Sequence, residues 1–199
     1  MKQFFRVFVL VAGVLGMGLG LAACESDVRV QKLPALTFSH LGEVKINVSR
    51  LETASKYKAP LKRPNVEHLF TAQPTTALKT WATDRLKPAG RAGMARFTVH
   101  EASVIEEKLK MDSSFTGVFT KQQSERYTAR VEATLEVFDA RGKRLGFASA
   151  NAVRSKTIRE DATLNEREKI WFNLVEELVT AFDKEMTKNM KRHLVNWMM

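Results

Sequence analysis

The chain has 199 residues, of which 44% are hydrophobic and 27% charged, and its formal net charge is +10 at pH 7. A single cysteine excludes an internal disulfide and a thiolate metal cluster, so stability must come from a packed core. The part that follows the N-terminal segments, roughly 150 residues, is long enough for one domain with one core.

The N-terminal segment has the layout of a secretory signal. Lys2 and Arg6 form a positive n-region, residues 7–21 form an apolar h-region, and small residues lead into Cys24. The apolar stretch is too short and too rich in glycine for a comfortable transmembrane span. Removing residues 1–23 would take away the charges of Lys2 and Arg6 and leave a net charge of about +8.

The tetrapeptide Leu21-Ala22-Ala23-Cys24 resembles the lipobox of bacterial lipoproteins. The resemblance implies a thioether-linked diacylglycerol on Cys24, cleavage before it and acylation of the new N-terminus, which would anchor the chain to a membrane. Because Glu25 rather than aspartate follows, it also implies the outer membrane, facing the periplasm; the periplasmic face of the inner membrane is the alternative. Two other interpretations stay open: an uncleaved anchor, and an ordinary buried thiol.

The sequence divides into a signal peptide (1–23), a tether (24–42) and a single periplasmic domain (43–199). The tether is expected to pack loosely through Leu33, Leu36 and Phe38. Alternating apolar residues predict a first strand over residues 44–48. Residues 52–73, with two prolines and a group of cations, predict a long ordered loop, which is either functional or a solvated connection.

Two further elements follow this loop. A helix is predicted from Thr75 or Thr76 to about Lys87, with an apolar stripe in which Trp81 is a core anchor. A second strand is predicted over roughly residues 95–105, with a bulge where the alternation slips near 102–105.

The third strand has the clearest pattern. Every second residue from 127 to 137 is apolar, which predicts one buried and one solvated face. A turn at 139–143 then returns the chain as a fourth strand over about 145–155, and the two strands should pair as a hairpin.

A long amphipathic helix closes the chain. Thr163 and Glu166 fit the capping-box pattern, and one apolar stripe continues to Met190. A helix that reached the C-terminus would be longer than a four-stranded sheet needs, so its end is free to fray or project.

These elements predict an α+β fold in the order β-α-β-β-β-α, a two-layer sandwich of a four-stranded, largely antiparallel sheet with two helices on one face. By element order only, the domain resembles periplasmic lipoproteins of envelope transport: the lipoprotein partner of the lipopolysaccharide translocon, and the auxiliary lipoproteins of ABC-type lipid-transport systems. Residues 77–86, followed by a strand, resemble the first helix of such domains.

No catalytic motif, metal-ligand spacing or cofactor loop follows Cys24, so we expect no enzyme activity, no metal site and no cofactor. The four histidines lie on separate predicted elements. The positive charge favours an anionic partner. For an exported chain, an envelope protein or an anionic lipid such as lipopolysaccharide fits better than nucleic acid. The sequence also has no nucleic-acid-binding signature. A merely soluble basic surface remains an alternative.

Two regions are candidates for partner binding. The first is residues 106–124, an apolar segment with cations that would either meet a membrane or partner or fold back over the core; its candidate residues are Met111, Phe115, Phe119 and Lys121. The second is the polar sheet face with Arg126 and Arg130, which could equally be a solvated face.

The leading functional hypothesis is a non-enzymatic, lipid-anchored periplasmic accessory protein that supports an envelope assembly or lipid-transport complex. The alternative is a stand-alone carrier or sensor of a small amphiphilic ligand, bound in a pocket between helices and sheet.

Overall fold

The computed structural model describes residues 33–110 and 122–199, and a four-stranded sheet lies at its centre. The sheet order is β2-β4-β5-β6, with β2 at Arg50–Ser55, β4 at Met94–Lys108, β5 at Gln123–Phe138 and β6 at Arg144–Arg159. β2 pairs parallel with β4, and the other two pairings are antiparallel.

Two helices, α1 (Pro74–Arg85) and α2 (Leu164–His193), cover one face of this sheet. The strand residues facing them are buried and mostly small or aliphatic, which lets the helices approach closely. Trp81 of α1, Phe97 of β4 and Phe182 of α2 pack together, with ring centroids 5.1 to 6.2 Å apart. The predicted α+β two-layer sandwich is confirmed, as is the core position of Trp81.

The first strand of the main sheet was placed on the wrong residues. Residues 44–48 contain only the three-residue β1 (Val44–Ile46), which pairs parallel with β3 (Leu86–Pro88) in a separate two-stranded sheet. The edge strand of the main sheet is β2, which lies mostly inside the stretch predicted as loop. β2 has no apolar alternation because, as an edge strand, it is mostly exposed.

Other boundaries shift by a few residues. α1 ends at Arg85 rather than near Lys87, because Leu86 already has extended backbone and enters β3. The bulge in β4 lies between Val99 and Glu101, at His100, and not near 102–105. The strands β4, β5 and β6 are each longer than the sequence pattern predicts.

The end of α2 does not project from the domain. Met190 and Leu194 are buried, and a 3-10 turn at Val195–Trp197 leads the chain back onto β1. The Asn47 amide donates to the Trp197 carbonyl at 2.8 Å, and the Met199 amide donates to the Lys45 carbonyl at 3.0 Å. The C-terminus is therefore built into the small sheet.

The segment before β1 packs along α1. Phe38 is buried, Leu36 and Leu41 are half-buried, and the Phe38 amide donates to the Asp84 carboxylate at 2.7 Å. No helix in the described part of the chain is both long and apolar enough to cross a bilayer.

Candidate interaction surfaces and buried polar networks

The structure places two of the predicted site residues on one surface. Arg126 and Arg130 lie on β5 with their side chains exposed on the face of the sheet away from the helices, which we call the open face. Four residues apart on one strand, they are separated by about 13 Å. Cys24, Met111, Phe115, Phe119 and Lys121 lie outside the described residues.

Most charges on the open face are paired across strands. Arg126 reaches Glu107 at 3.5 Å, Arg144 reaches Glu136 at 3.0 Å, and Arg96 reaches Glu52 at 3.3 Å. Exposed pairs of this kind contribute little to stability.

Arg130 stands apart, because among the described residues it forms no ion pair. The pairing register places it between Ser103 of β4 and Val153 of β6, and Val153 is exposed. The next row across the sheet brings Glu101 and Glu132 opposite each other. The open face thus carries an unpaired cation beside an exposed aliphatic side chain, with an acidic row next to it.

A buried ion pair joins the two helices behind the sheet. Arg85 Nε donates to Asp183 Oδ1 at 2.8 Å, and Trp81 Nε1 donates to the same oxygen at 2.9 Å. The Arg85 guanidinium also donates to the Leu41 carbonyl at 2.7 Å and to the Gly42 carbonyl. This network fixes α1, α2 and the segment before β1 to one another, so its role is architectural.

A second network lies where β5 begins. Arg167 of α2 donates to the Glu125 carboxylate and to Tyr127 Oη, the latter at 2.7 Å, and Tyr127 Oη donates to Glu125 Oε2 at 2.7 Å. Burial alone would raise the pKa of Glu125, but the hydrogen bonds from Arg167 and Tyr127 and the charge of Arg167 lower it below its ordinary value. Burial and the Glu125 hydrogen bond raise the pKa of Tyr127.

The Tyr127 ring belongs to an aromatic cluster at the same end of the domain. Phe70 stacks on Trp171 with ring centroids 4.5 Å apart, and Tyr127 meets Trp171 edge-on at 5.5 Å. The cluster joins the start of α2 to the segment before α1.

A buried carboxylate completes the edge of β4. Glu67 Oε1 accepts from Tyr57 Oη at 2.6 Å, and Glu67 Oε2 accepts from the Val104 amide at 3.1 Å. The carboxylate thus takes the place that a backbone carbonyl of a longer edge strand would occupy. Burial and the Glu67 hydrogen bond raise the pKa of Tyr57.

The histidines remain separate. His100, at the bulge, pairs through Nε2 with Thr134 Oγ1 at 3.1 Å. Within residues 33–110 and 122–199, no group of three or more histidine, cysteine or acidic side chains is arranged to hold a metal ion.

Hollows in the described part of the chain open at the surface. One of about 330 Å³ lies between residues 33–36, the first half of α1 and Phe172. Another lies at the end of α2, lined by Arg85 and Asp183 together with Lys184, Lys188, Lys191 and Arg192. Lys188 pairs there with Glu185 at 3.5 Å, and cations at a helix C-terminus also suit the helix dipole.

Sequence patterns did not reveal the three buried networks. Arg85 and Asp183 are 98 residues apart, and each sits on a helix where a charged residue normally faces water. One signal was available: Asp183 directly follows Phe182 within the apolar stripe, so it lies near the buried side of α2.

No protein-family model matches the chain, and no curated protein matches it in sequence. Solved structures that match the chain include several bacterial lipoproteins. Rare lipoprotein B from Shewanella oneidensis matches with a TM-score of 0.38 at 11% identity, over 74% of this chain and 97% of that one. A minor lipoprotein from Acinetobacter baumannii matches with a TM-score of 0.37 at 17% identity, over 72% and 94% of the two chains.

Lipoprotein B from Nitrosomonas europaea matches with a TM-score of 0.40 at 11% identity, over 81% of this chain and 91% of that one. Because these TM-scores are below 0.5, the similarities do not indicate what the chain binds or does.

Proposed function

We propose that the chain is a lipid-anchored accessory protein of the bacterial envelope, which supports an assembly or lipid-transport complex by binding and not by catalysis. Cys24 carries the anchor, the domain faces the periplasm, and the outer membrane is the site, with the periplasmic face of the inner membrane as the alternative. The partner is an envelope protein or an anionic lipid such as lipopolysaccharide. The lipobox residues support the anchor.

The observation that carries the binding role is the asymmetry of the sheet. One face is packed against α1 and α2, whereas the side chains of β5 and β6 on the open face are exposed or half-buried. The face carries Arg130, which forms no ion pair with the residues that the structure describes, and the exposed Val153 and Phe147. Arg130 lies opposite Val153, and Phe147 lies farther along the same face, opposite Glu136. Arginine and aromatic residues are enriched at protein interfaces.

The ionisable clusters support a binding role over catalysis. Asp183, Glu125 and Glu67 each accept hydrogen bonds from partners in the fold, and each set joins separate elements. A general acid or base needs instead to face a cleft where substrate can reach it, and neither Glu125 nor Glu67 lines a hollow described above. Asp183 does line the hollow at the end of α2, where Arg85 and Trp81 occupy its Oδ1.

The carrier alternative has less support from the packing. A small amphiphile between helices and sheet would need a cavity there, but Trp81, Phe97 and Phe182 fill the centre of that layer and are fully buried. The hollows described above are open to solvent, whereas ligand pockets usually enclose most of a ligand's surface.

Photo-crosslinking in intact cells tests the binding role. A photoreactive amino acid at Arg130 on the open face should give a discrete adduct with an envelope protein or lipid. The same residue at Glu176, exposed on α2, serves as the control and should give none. No adduct at Arg130, or the same adducts at both positions, would contradict binding through the open face.

A further inference from the structure

The loop that follows β2 has an unusual concentration of positive charge. Residues 56–63 contain the cations Lys56, Lys58, Lys62 and Arg63 and no carboxylate. All four are exposed, and within residues 33–110 and 122–199 only Arg63 forms an ion pair, with Glu106 at 2.7 Å. Lys56, Lys58 and Lys62 are therefore available to contact a partner outside the domain.

The same loop exposes an aliphatic side chain among these cations. Leu61 is 67% exposed, and its backbone has φ of 56°, in the left-handed region that residues other than glycine seldom adopt. Leu69, in the 3-10 turn at Glu67–Leu69, is also exposed. A leucine that is exposed on left-handed backbone buries little apolar surface in the fold, which favours a use outside it.

The loop is held firmly at both of its ends. The Lys56 amide donates to the Val99 carbonyl at 2.8 Å, and the Val66 amide donates to the Val104 carbonyl at 2.9 Å. Tyr57 is fixed by its hydrogen bond to Glu67. Leu61 and the lysines are thus displayed on a stable base at the β4 edge of the sheet.

The loop lies at the end of the domain where the described chain begins. We call this the hairpin end, since Lys108 of β4 pairs there with Glu125 of β5. Arg63 contacts Glu106 at this end, and Leu33 and Leu36 line a hollow with Phe172, next to the Trp171 ring that packs on Tyr127. Eight residues separate Leu33 from Cys24, a stretch that cannot span more than about 30 Å.

We propose that residues 56–63 form a contact with an anionic bilayer surface, in which Leu61 enters the lipid interface and the cations bind headgroup phosphates. This contact depends on the proposed function in one respect: the anchor at Cys24, which would keep this end of the domain near a membrane. Charge complementarity selects the partner, because clustered lysines and arginine are attracted by anionic lipid and an apolar side chain adds insertion.

Site-specific fluorescence tests this contact. Acylation of Cys24 would leave the chain without a free thiol, so Leu61→Cys provides one position for an environment-sensitive dye in the lipidated protein. Ala140→Cys, exposed in the β5–β6 turn at the opposite end, is the matched control. In phosphatidylglycerol vesicles with nitroxide-labelled lipid, the dye at 61 should be quenched and blue-shifted, and the dye at 140 should not.

Charge and lipid controls complete the design. In phosphatidylcholine vesicles, or with Lys56, Lys58 and Lys62 all changed to Gln, quenching at 61 should fall to the level seen at 140. A dye at 61 that stays unquenched in anionic vesicles would overturn the proposal. Quenching that is equally strong in neutral and anionic vesicles would also overturn it. The first of these results is the one expected if the loop binds an acidic protein.

Flotation of the vesicles and the mass of the N-terminal peptide report on the anchor separately. If the anchor is absent, the same quenching measurement on protein that also carries Cys24→Ser, so that position 61 holds its one thiol, and that is added to preformed vesicles still tests the loop. Failure of the anchor and failure of the loop contact are thus distinguishable.

Discussion

The buried Asp183 carboxylate links more elements of the fold than any single surface ion pair does. It accepts from both Arg85 and Trp81, and Arg85 in turn binds backbone carbonyls of the segment before β1. Both charged side chains are about 90% buried, so neither can replace its partner with water.

Asp183→Ala should therefore be strongly destabilising, because it leaves the Arg85 charge buried without a counter-charge. We expect a loss of about 3–5 kcal/mol in the free energy of unfolding, measured by urea denaturation. The control is Glu52→Gln, which removes an exposed partner of Arg50 and Arg96 and should change stability by less than about 1 kcal/mol. Similar losses in the two variants would contradict the architectural role of the buried pair.

Glu125 should make stability depend on pH in the acid range. Its pKa is lowered in the folded state from an ordinary value of 4.5, so the unfolded chain binds the proton more readily. The stabilisation from its ionised form is thus present above about pH 4.5 and is lost as pH falls through the lower, folded pKa.

Glu125→Gln should lower the free energy of unfolding at pH 7 by about 1–3 kcal/mol, since Arg167 and Tyr127 lose a charged acceptor. Its stability should also fall less steeply than that of the wild type below pH 4.5. Denaturation curves between pH 3 and 7 check both effects, with Glu176→Gln, on the exposed side of α2, as the control. Parallel profiles for wild type and Glu125→Gln would refute the assignment.

Single residues were predictable from sequence where the signal is local. Trp81 lies on an apolar stripe and is buried as expected, and Arg126 and Arg130 lie on the polar side of β5. The buried networks depend instead on partners brought together by tertiary packing. A charged residue that is buried looks in sequence like a charged residue that is solvated.

Among the elements, α2 has the best-defined start. The Thr163 side chain accepts from the Glu166 amide at 3.2 Å, and the Glu166 carboxylate accepts from the Thr163 amide at 2.8 Å, which confirms the predicted capping box. These contacts satisfy backbone donors that the first turn of a helix leaves free.

Thr163→Ala should cost about 1 kcal/mol of stability, because a helix N-terminus loses its side-chain acceptor. The same substitution at Thr180, in the middle of α2, should be neutral or slightly stabilising, since alanine has the higher helix propensity. Thermal or urea unfolding of the two variants makes the comparison; an equal loss at both positions would show that the cap contributes nothing specific.

The C-terminal end of α2 offers a second comparison between neighbouring residues. Leu194 is buried against Gly146 of β6, whereas Val195 is 59% exposed. Leu194→Ala should destabilise by about 2–5 kcal/mol, and Val195→Ala by no more than about 0.5 kcal/mol. If the helix end frayed away from the domain, neither change would alter the free energy of unfolding appreciably.

Element prediction succeeded where one face of an element is buried. β5 alternates apolar and polar residues because it is central in the sheet and packed on one side only. β2 was missed because an edge strand needs little apolar surface, and β1 was assigned to the wrong sheet because alternation reports burial and not the partner strand. The C-terminal turn depends on β1 as a partner, which no local pattern shows.

At the scale of the whole molecule, two polar surfaces of the described residues have a proposed role. The open face of the sheet presents Arg130 among paired charges, and the cationic loop at residues 56–63 lies at the hairpin end. In the account proposed here, the loop meets the membrane and the open face meets the partner. An anchor at Cys24 would keep both surfaces close to the membrane.

The most direct test of the account is the chemical state of Cys24 in protein isolated from cell membranes. Mass spectrometry should find a mature N-terminal peptide that begins at Cys24 and carries a diacylglycerol thioether and an N-acyl chain, and Cys24→Ser should abolish this processing. A chain recovered with residues 1–23 attached, or with an unmodified thiol at Cys24, would contradict lipid anchoring at this residue.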